Sequence, residues 1–250
     1  MNPKVLFWFN GIAGVSSIIG VLLAILNERV SAYVALGSFI VFLITVIILL
    51  SYWVFYVVRQ ELPEDYIRLS VFSSYETSNG VKGVYERFRV IQVKRLALSA
   101  VYFKFKWTGS KPPVITSDLQ TVEGPAIDGG NDYNNYDKIK FVFKGRPLVF
   151  NETAIIHFRA EVDDIDQSAI PMDCYKVETF TPLIHFRVTL KHKPNNYYTP
   201  AKLQRCRIGA NINTEFYDME TIPFDVHTKS YQYDLINPEV GYYYRVLWER

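Results

Sequence analysis

The sequence predicts a membrane α plus all-β protein: an N-terminal two-helix transmembrane hairpin over residues 1–60, then an antiparallel β-sandwich of immunoglobulin-like type over residues 61–250, with a β-barrel as the alternative closure. Three observations lead there. Residues 5–26 and 30–58 contain no charged side chain. Nearly all Lys, Arg, Asp and Glu follow Arg59, so the near-neutral formal charge of +2 averages two unlike parts. From Tyr66 onward, hydrophobic residues recur with period two and are rich in β-branched and aromatic types, the signature of half-buried strands.

A bilayer core of about 30 Å takes about 20 apolar residues at 1.5 Å rise, and both uncharged runs reach that length. A cleaved signal peptide is the competing reading of the first run, since Val30-Ser31-Ala32 offers small residues at a cleavage position. A second span following at once favours the hairpin. The link Asn27-Glu28-Arg29 carries one Arg, against Lys4, Arg59 and Arg68 on the other side, which places both termini in the cytoplasm. Phe7, Trp8 and Phe9 open the first span and Tyr52, Trp53, Phe55 and Tyr56 close the second, so two aromatic anchors share one interface. Small residues Ala13, Ser17, Gly20 and Ala24 make a close-packing stripe on the first helix. Ser38, Thr45 and Tyr52 repeat at seven on the second, as pore-lining hydroxyls in an oligomer or as groups bonded back to their own helix. Asn10 is the amide at membrane depth. Without a charged residue in either span, proton relay and charged-substrate transport are not expected.

Pro63 stops the second helix within the short linker 60–65. Strands are then expected over residues 66–72, 84–93, 96–107, 138–144, 153–162, 183–190, 203–212 and 242–248, separated by turn-formers such as Ser78-Asn79-Gly80 and Lys193-Pro194-Asn195-Asn196. Residues 124–137 form a polar loop. Eight or more strands without intervening helices specify the sandwich or barrel.

Two stretches interleave cations with aromatic rings. Lys104-Phe105-Lys106-Trp107 puts both lysines on one face of a regular strand. Arg187, Lys191, His192, Lys193, Tyr197, Tyr198, Lys202, Arg205 and Arg207 form the second. Cations for phosphates beside rings for bases suit a nucleotide or a single-stranded oligonucleotide, while a solvated strand face with aromatics in the core is the plain alternative. Asp163, Asp164 and Asp166 lack the Gly and bidentate Glu of a calcium loop and read as an acidic turn. His157, His185, His192 and His227 show no zinc spacing, and no nucleophile motif or P-loop is present, so neither enzyme activity, cofactor nor metal is expected. Cys174 and Cys206 stay reduced in a cytoplasmic domain. The tyrosines 242–244 are candidates for an edge strand that accepts a partner strand.

In architecture, the two spans with a β-rich domain directly behind them, the run 96–107 ending in Lys-Trp-Thr-Gly-Ser and the basic-aromatic stretch after Arg187 resemble the two-span membrane effectors of bacterial antiphage defence. These are the β-barrel effectors of cyclic-oligonucleotide signalling and the Hailong effector paired with a nucleotidyltransferase. The resemblance implies a multi-pass inner-membrane protein, a homo-oligomer taken as a tetramer, and a nucleotide-type ligand supplied by a partner enzyme that gates an ion path.

Overall fold

A computed structural model describes residues 28–61, 65–109, 111–124, 137–210 and 215–250. The chain divides into two units, Met1–Pro63 and Glu64–Arg250.

In the first unit, helix α1 spans Glu28–Glu61, 34 residues and therefore about 51 Å long. It stops two residues before Pro63, whose ring would clash with the preceding turn. Within it, Leu36–Val54 is long and apolar enough to cross a membrane. Its large apolar side chains, Phe39, Ile47 and Trp53 among them, are exposed. A helix that is apolar all round needs either a protein core or lipid around it. Glu28 and Arg29, expected in the link, lie in the first turn of α1. The first limb of the expected hairpin, with Asn10, Ser17 and Gly20, lies outside the described residues, so one spanning helix is described and not two.

The second unit is built from strands. They are β1 Tyr66–Thr77, β2 Lys82–Val93, β3 Ala97–Leu98, β4 Ala100–Phe105, β5 Val114–Thr116, β6 Gln120–Glu123, β7 Asp137–Phe143 and β8 Leu148–Val149, then β9 Thr153–Asp163, β10 Met172–Val177, β11 Leu183–Leu190, β12 Ala201–Arg207, β13 Tyr217–Ile222, β14 Ser230–Ile236 and β15 Tyr242–Leu247. A six-stranded sheet runs β14-β11-β1-β2-β9-β5, a four-stranded sheet β10-β15-β12-β13, a three-stranded sheet β4-β7-β6, and β3 pairs with β8.

The antiparallel expectation is corrected at one place. β1 and β11 run parallel, Val71 opposite Ile184 through Thr77 opposite Leu190, because β11 enters the sheet beside β1 after a long excursion and not by a hairpin. The six-stranded sheet is open, with β14 and β5 at its edges, which sets aside a closed barrel for this sheet. The tyrosines 242–244 are not an edge either: β15 lies between β10 and β12, so its backbone is already paired on both sides.

Strict alternation along β2 buries Tyr85, Arg87, Arg89, Ile91 and Val93 on one face. β1 follows the same rule after an irregularity between Arg68 and Ser70, which shifts the inward phase from Tyr66 and Arg68 to Val71, Ser73 and Tyr75. The hairpin joining β1 to β2 closes on Gly80 at φ 78°, a left-handed conformation that costs glycine little, while the Asn79 carboxamide oxygen accepts from the amides of Val81 and Lys82. Facing this sheet are aromatic rings from the smaller ones. Phe158 of β9 meets Phe105 at 4.9 Å and Phe103 at 6.0 Å, Tyr85 meets Phe105 at 5.8 Å, and Tyr75 stacks on Trp248 at 5.2 Å. These contacts make two layers over one aromatic core.

Candidate functional site

The inward face of β2 is apolar except at Arg87 and Arg89, and there the two layers separate into a cleft of about 350 Å³. Arg68, Tyr85, Arg87 and Arg89 from β1 and β2 form its floor. β4 and the residues after it supply one wall, including Tyr102, Lys104, Lys106 and Trp107; β10 supplies the other, with Asp173, Tyr175 and Lys176; Phe216, Tyr243 and Arg245 stand at the side. Seven cationic side chains line the cleft against two carboxylates, Asp173 and Glu178.

Each charge has a definable environment. Arg87 is satisfied: its Nη2 donates to Asp173 Oδ1 at 3.0 Å and to the Cys174 carbonyl at 3.3 Å, and its Nε donates to Ser73 Oγ at 3.0 Å. Asp173 is 1% exposed, and its second oxygen Oδ2 has no hydrogen-bond donor. Arg68 donates to the Tyr175 hydroxyl at 3.1 Å. The guanidinium of Arg89 lies over the Phe103 ring at 3.9 Å and the Tyr175 ring at 5.4 Å, with Nε lacking an acceptor. Burial, with Arg68 and Arg87 nearby, pulls the Arg89 pKa down from its usual value. Lys176 pairs with Glu178 at 2.6 Å, and Arg245 stacks over Phe216 at 3.7 Å while donating to Gln204 Oε1 at 2.7 Å. Trp107 is held by the backbone of Gly109, where a Cβ would stand 2.5 Å from its indole nitrogen.

Of the residues singled out in the sequence, Lys104, Lys106 and Trp107 lie in this cleft. The second stretch does not gather there. Arg187 is exposed on β11; Lys191 pairs with Glu76; Lys193 is buried under Tyr197, 4.2 Å from its ring; Tyr198 is exposed. Lys202 pairs with Asp218 at 2.7 Å, Arg205 with Glu239 at 3.1 Å, and Arg207 is exposed at the end of β12. Near neighbours in sequence are dispersed over β11, a turn and β12, and three of their six lysines and arginines meet carboxylates of their own.

Arg68, Arg87, Arg89, Lys176 and Arg245 were not singled out in the sequence. The signal was present: Arg87 and Arg89 share the parity of Tyr85, Ile91 and Val93, so placing those three in the core places both arginines there. It was masked because Val84, Phe88 and Val90 make the opposite face almost as apolar.

Thr45 donates to the Val41 carbonyl at 2.8 Å, the back-bonded arrangement, while Ser38 is half-buried and Tyr52 is exposed and stacked with Tyr56 at 6.5 Å. Asp163 pairs with Lys111 and Asp164 with Arg250, and the described residues contain no group of three His, Cys, Asp or Glu able to hold a metal. His157 is 1% exposed, stacked on Phe88 at 4.5 Å, with Nδ1 accepting from the Asp118 amide and Nε2 on Glu86.

Both cysteines are free, Cys206 buried and Cys174 half-buried. Burial pushes the Cys174 thiol up to about 12 and raises Cys206 as well. A maleimide at pH 8 is therefore expected to leave both unlabelled in the folded chain and to add two adducts after unfolding, read by mass; labelling of the native chain would contradict the packing around them.

No family model matches the chain, and no curated protein matches it. Among solved structures, it is similar to an M1 zinc metallopeptidase from Deinococcus radiodurans at 9% identity and TM-score 0.33, covering 74% of this chain and 42% of that one. A putative protease from Parabacteroides distasonis matches at 7% identity and TM-score 0.39, covering 74% and 40%. Yeast LTA4 hydrolase matches at 7% identity and TM-score 0.32, covering 69% and 29%. The chain spans less than half the length of each, and likenesses at this level assign it no activity.

Proposed function

We propose that this chain is a membrane sensor-effector: the cationic cleft binds a nucleotide or single-stranded oligonucleotide, and assembled membrane spans change ion permeability in response. The observation that carries the reading is the cleft itself, seven cations against two carboxylates with aromatic rings at Tyr102, Trp107, Tyr175 and Tyr243. A polyanion with stackable rings complements both features. In this reading the full chain is a non-enzymatic, multi-pass protein of the bacterial inner membrane with a two-span hairpin, cytoplasmic termini and an immunoglobulin-like sandwich. It works as a homo-oligomer, taken as a tetramer, and a partner nucleotidyltransferase makes its ligand. The exposed apolar surface of α1 supports membrane insertion, and a span without transport chemistry acts most simply by assembling.

The test is membrane depolarisation in cells expressing the chain with and without a cognate nucleotidyltransferase. The expected result is depolarisation in one of the two states and loss of the difference in a Lys104→Glu/Lys106→Glu variant. Absence of depolarisation in both states, with the protein in the membrane fraction, would sink the effector reading and leave a tether.

A further inference from the structure

On the floor of the cleft, one cation differs from the rest. Arg87 has its carboxylate in Asp173, and Lys176 has Glu178. Arg89 is 8% exposed, and no carboxylate of the described residues lies within ion-pair distance of it. What surrounds it instead is the face of Phe103 at 3.9 Å, the face of Tyr175 at 5.4 Å and the like charge of Arg68. A buried, unpaired guanidinium destabilises the fold that holds it. Ring faces above the guanidinium plane stabilise the charge without using its N–H groups, which point outward in that plane. Nε lacks an acceptor altogether.

We infer that Arg89, with Arg68 beside it on the floor of the cleft, forms an oxyanion site that takes a phosphoryl group. The inference rests on the ligand-binding half of the function proposed above and is independent of gating. A planar fork of N–H donors matches two oxygens of one phosphoryl group, and charge-assisted bonds of this kind are about twice as strong as neutral ones. Arg68 puts a second cation beside Arg89 on the floor, which favours a dianionic group over a single carboxylate. Asp173 Oδ2, buried at the same place without a donor, fits a hydroxyl or amine on the same ligand, so a phosphate ester complements the floor better than bare phosphate.

The full chain in detergent is titrated with pyrophosphate and with inorganic phosphate at constant ionic strength, against chloride, by calorimetry and thermal shift. The expected result is saturable pyrophosphate binding with a rise in Tm. Arg89→Met should weaken it at least tenfold while the ligand-free Tm is held or raised, because the buried charge is gone. Arg187→Met, on the outer face of β11, should bind as the parent does. If Arg89→Met does not fold, Arg89→Lys keeps the charge without the fork and is expected to weaken binding by about tenfold, or about 1.4 kcal/mol. Unchanged affinity in the folded variant, or no saturable binding by the parent chain, overturns the site. Depolarisation that still responds to the partner enzyme in Arg89→Met overturns it while leaving the effector reading intact. Pyrophosphate binding lost in Arg89→Met in a chain that never depolarises does the reverse.

Discussion

Asp173→Ala is expected to destabilise the β-rich unit by about 3–5 kcal/mol, the cost of leaving a buried charge without its partner. Asp173 is 1% exposed and holds Arg87 at 3.0 Å, in a cleft that already carries a large positive surplus. Removing the carboxylate therefore both strands Arg87 and raises the repulsion among Arg68, Arg87 and Arg89. Urea unfolding of the full chain in detergent, followed by tryptophan fluorescence, should show the midpoint falling by about 1–5 M for a slope of about 1–3 kcal/mol/M. Replacing both partners, Arg87→Met with Asp173→Leu, should recover most of the loss, since the pair's desolvation cost disappears with it. A single variant within about 0.5 kcal/mol of the parent would mean that Arg87 is solvated and that the cleft floor is wetter than its burial implies.

The same pair shows which parts of the molecule were legible in its sequence. Period-two patterning locates the long strands, because β2 alternates over its whole length, β9 from Phe158 onward and β11 from Leu183 to Val188. It missed β10, whose Met-Asp-Cys-Tyr-Lys-Val places a charged residue at an inward position, and β13, an edge strand exposed at five of its six residues. In both cases tertiary context outweighs local hydrophobicity. The run 96–107 reads as one strand, yet Ser99 splits it: β3 pairs with β8 and β4 with β7. The cleft was half legible for a related reason. Lys104, Lys106 and Trp107 advertise themselves as an exposed basic-aromatic alternation, whereas Arg68, Arg87 and Arg89 are cations on a core face, which patterning assigns to solvent by default. The basic-aromatic stretch after Arg187 does not gather at the cleft, and proximity in sequence says nothing about whether Glu76, Asp218 and Glu239 arrive to neutralise three of its cations.

Phe158→Ala should cost a similar amount, about 3–5 kcal/mol, by another mechanism: a cavity between the layers in place of an unpaired charge. Phe158 is 2% exposed and is the ring of the six-stranded sheet on which Phe103, Phe105 and Phe141 converge, at 6.0, 4.9 and 6.1 Å. Phe103 also carries Arg89 on its face, so the cavity would release one of the two rings that hold that guanidinium. Two readouts should then move together in Phe158→Ala, the unfolding midpoint and the pyrophosphate affinity. Phe158→Leu, closer in volume, should cost less than about 1.5 kcal/mol and restore both. Phe224 is the control. It is also buried, but it packs with Tyr197 at 4.9 Å and Tyr231 at 5.0 Å, and none of the three lines the cleft. Phe224→Ala should lower stability comparably and leave pyrophosphate affinity where it was. Equal loss of affinity in both variants would mean that binding follows global stability and not the position of the Phe103 ring under Arg89.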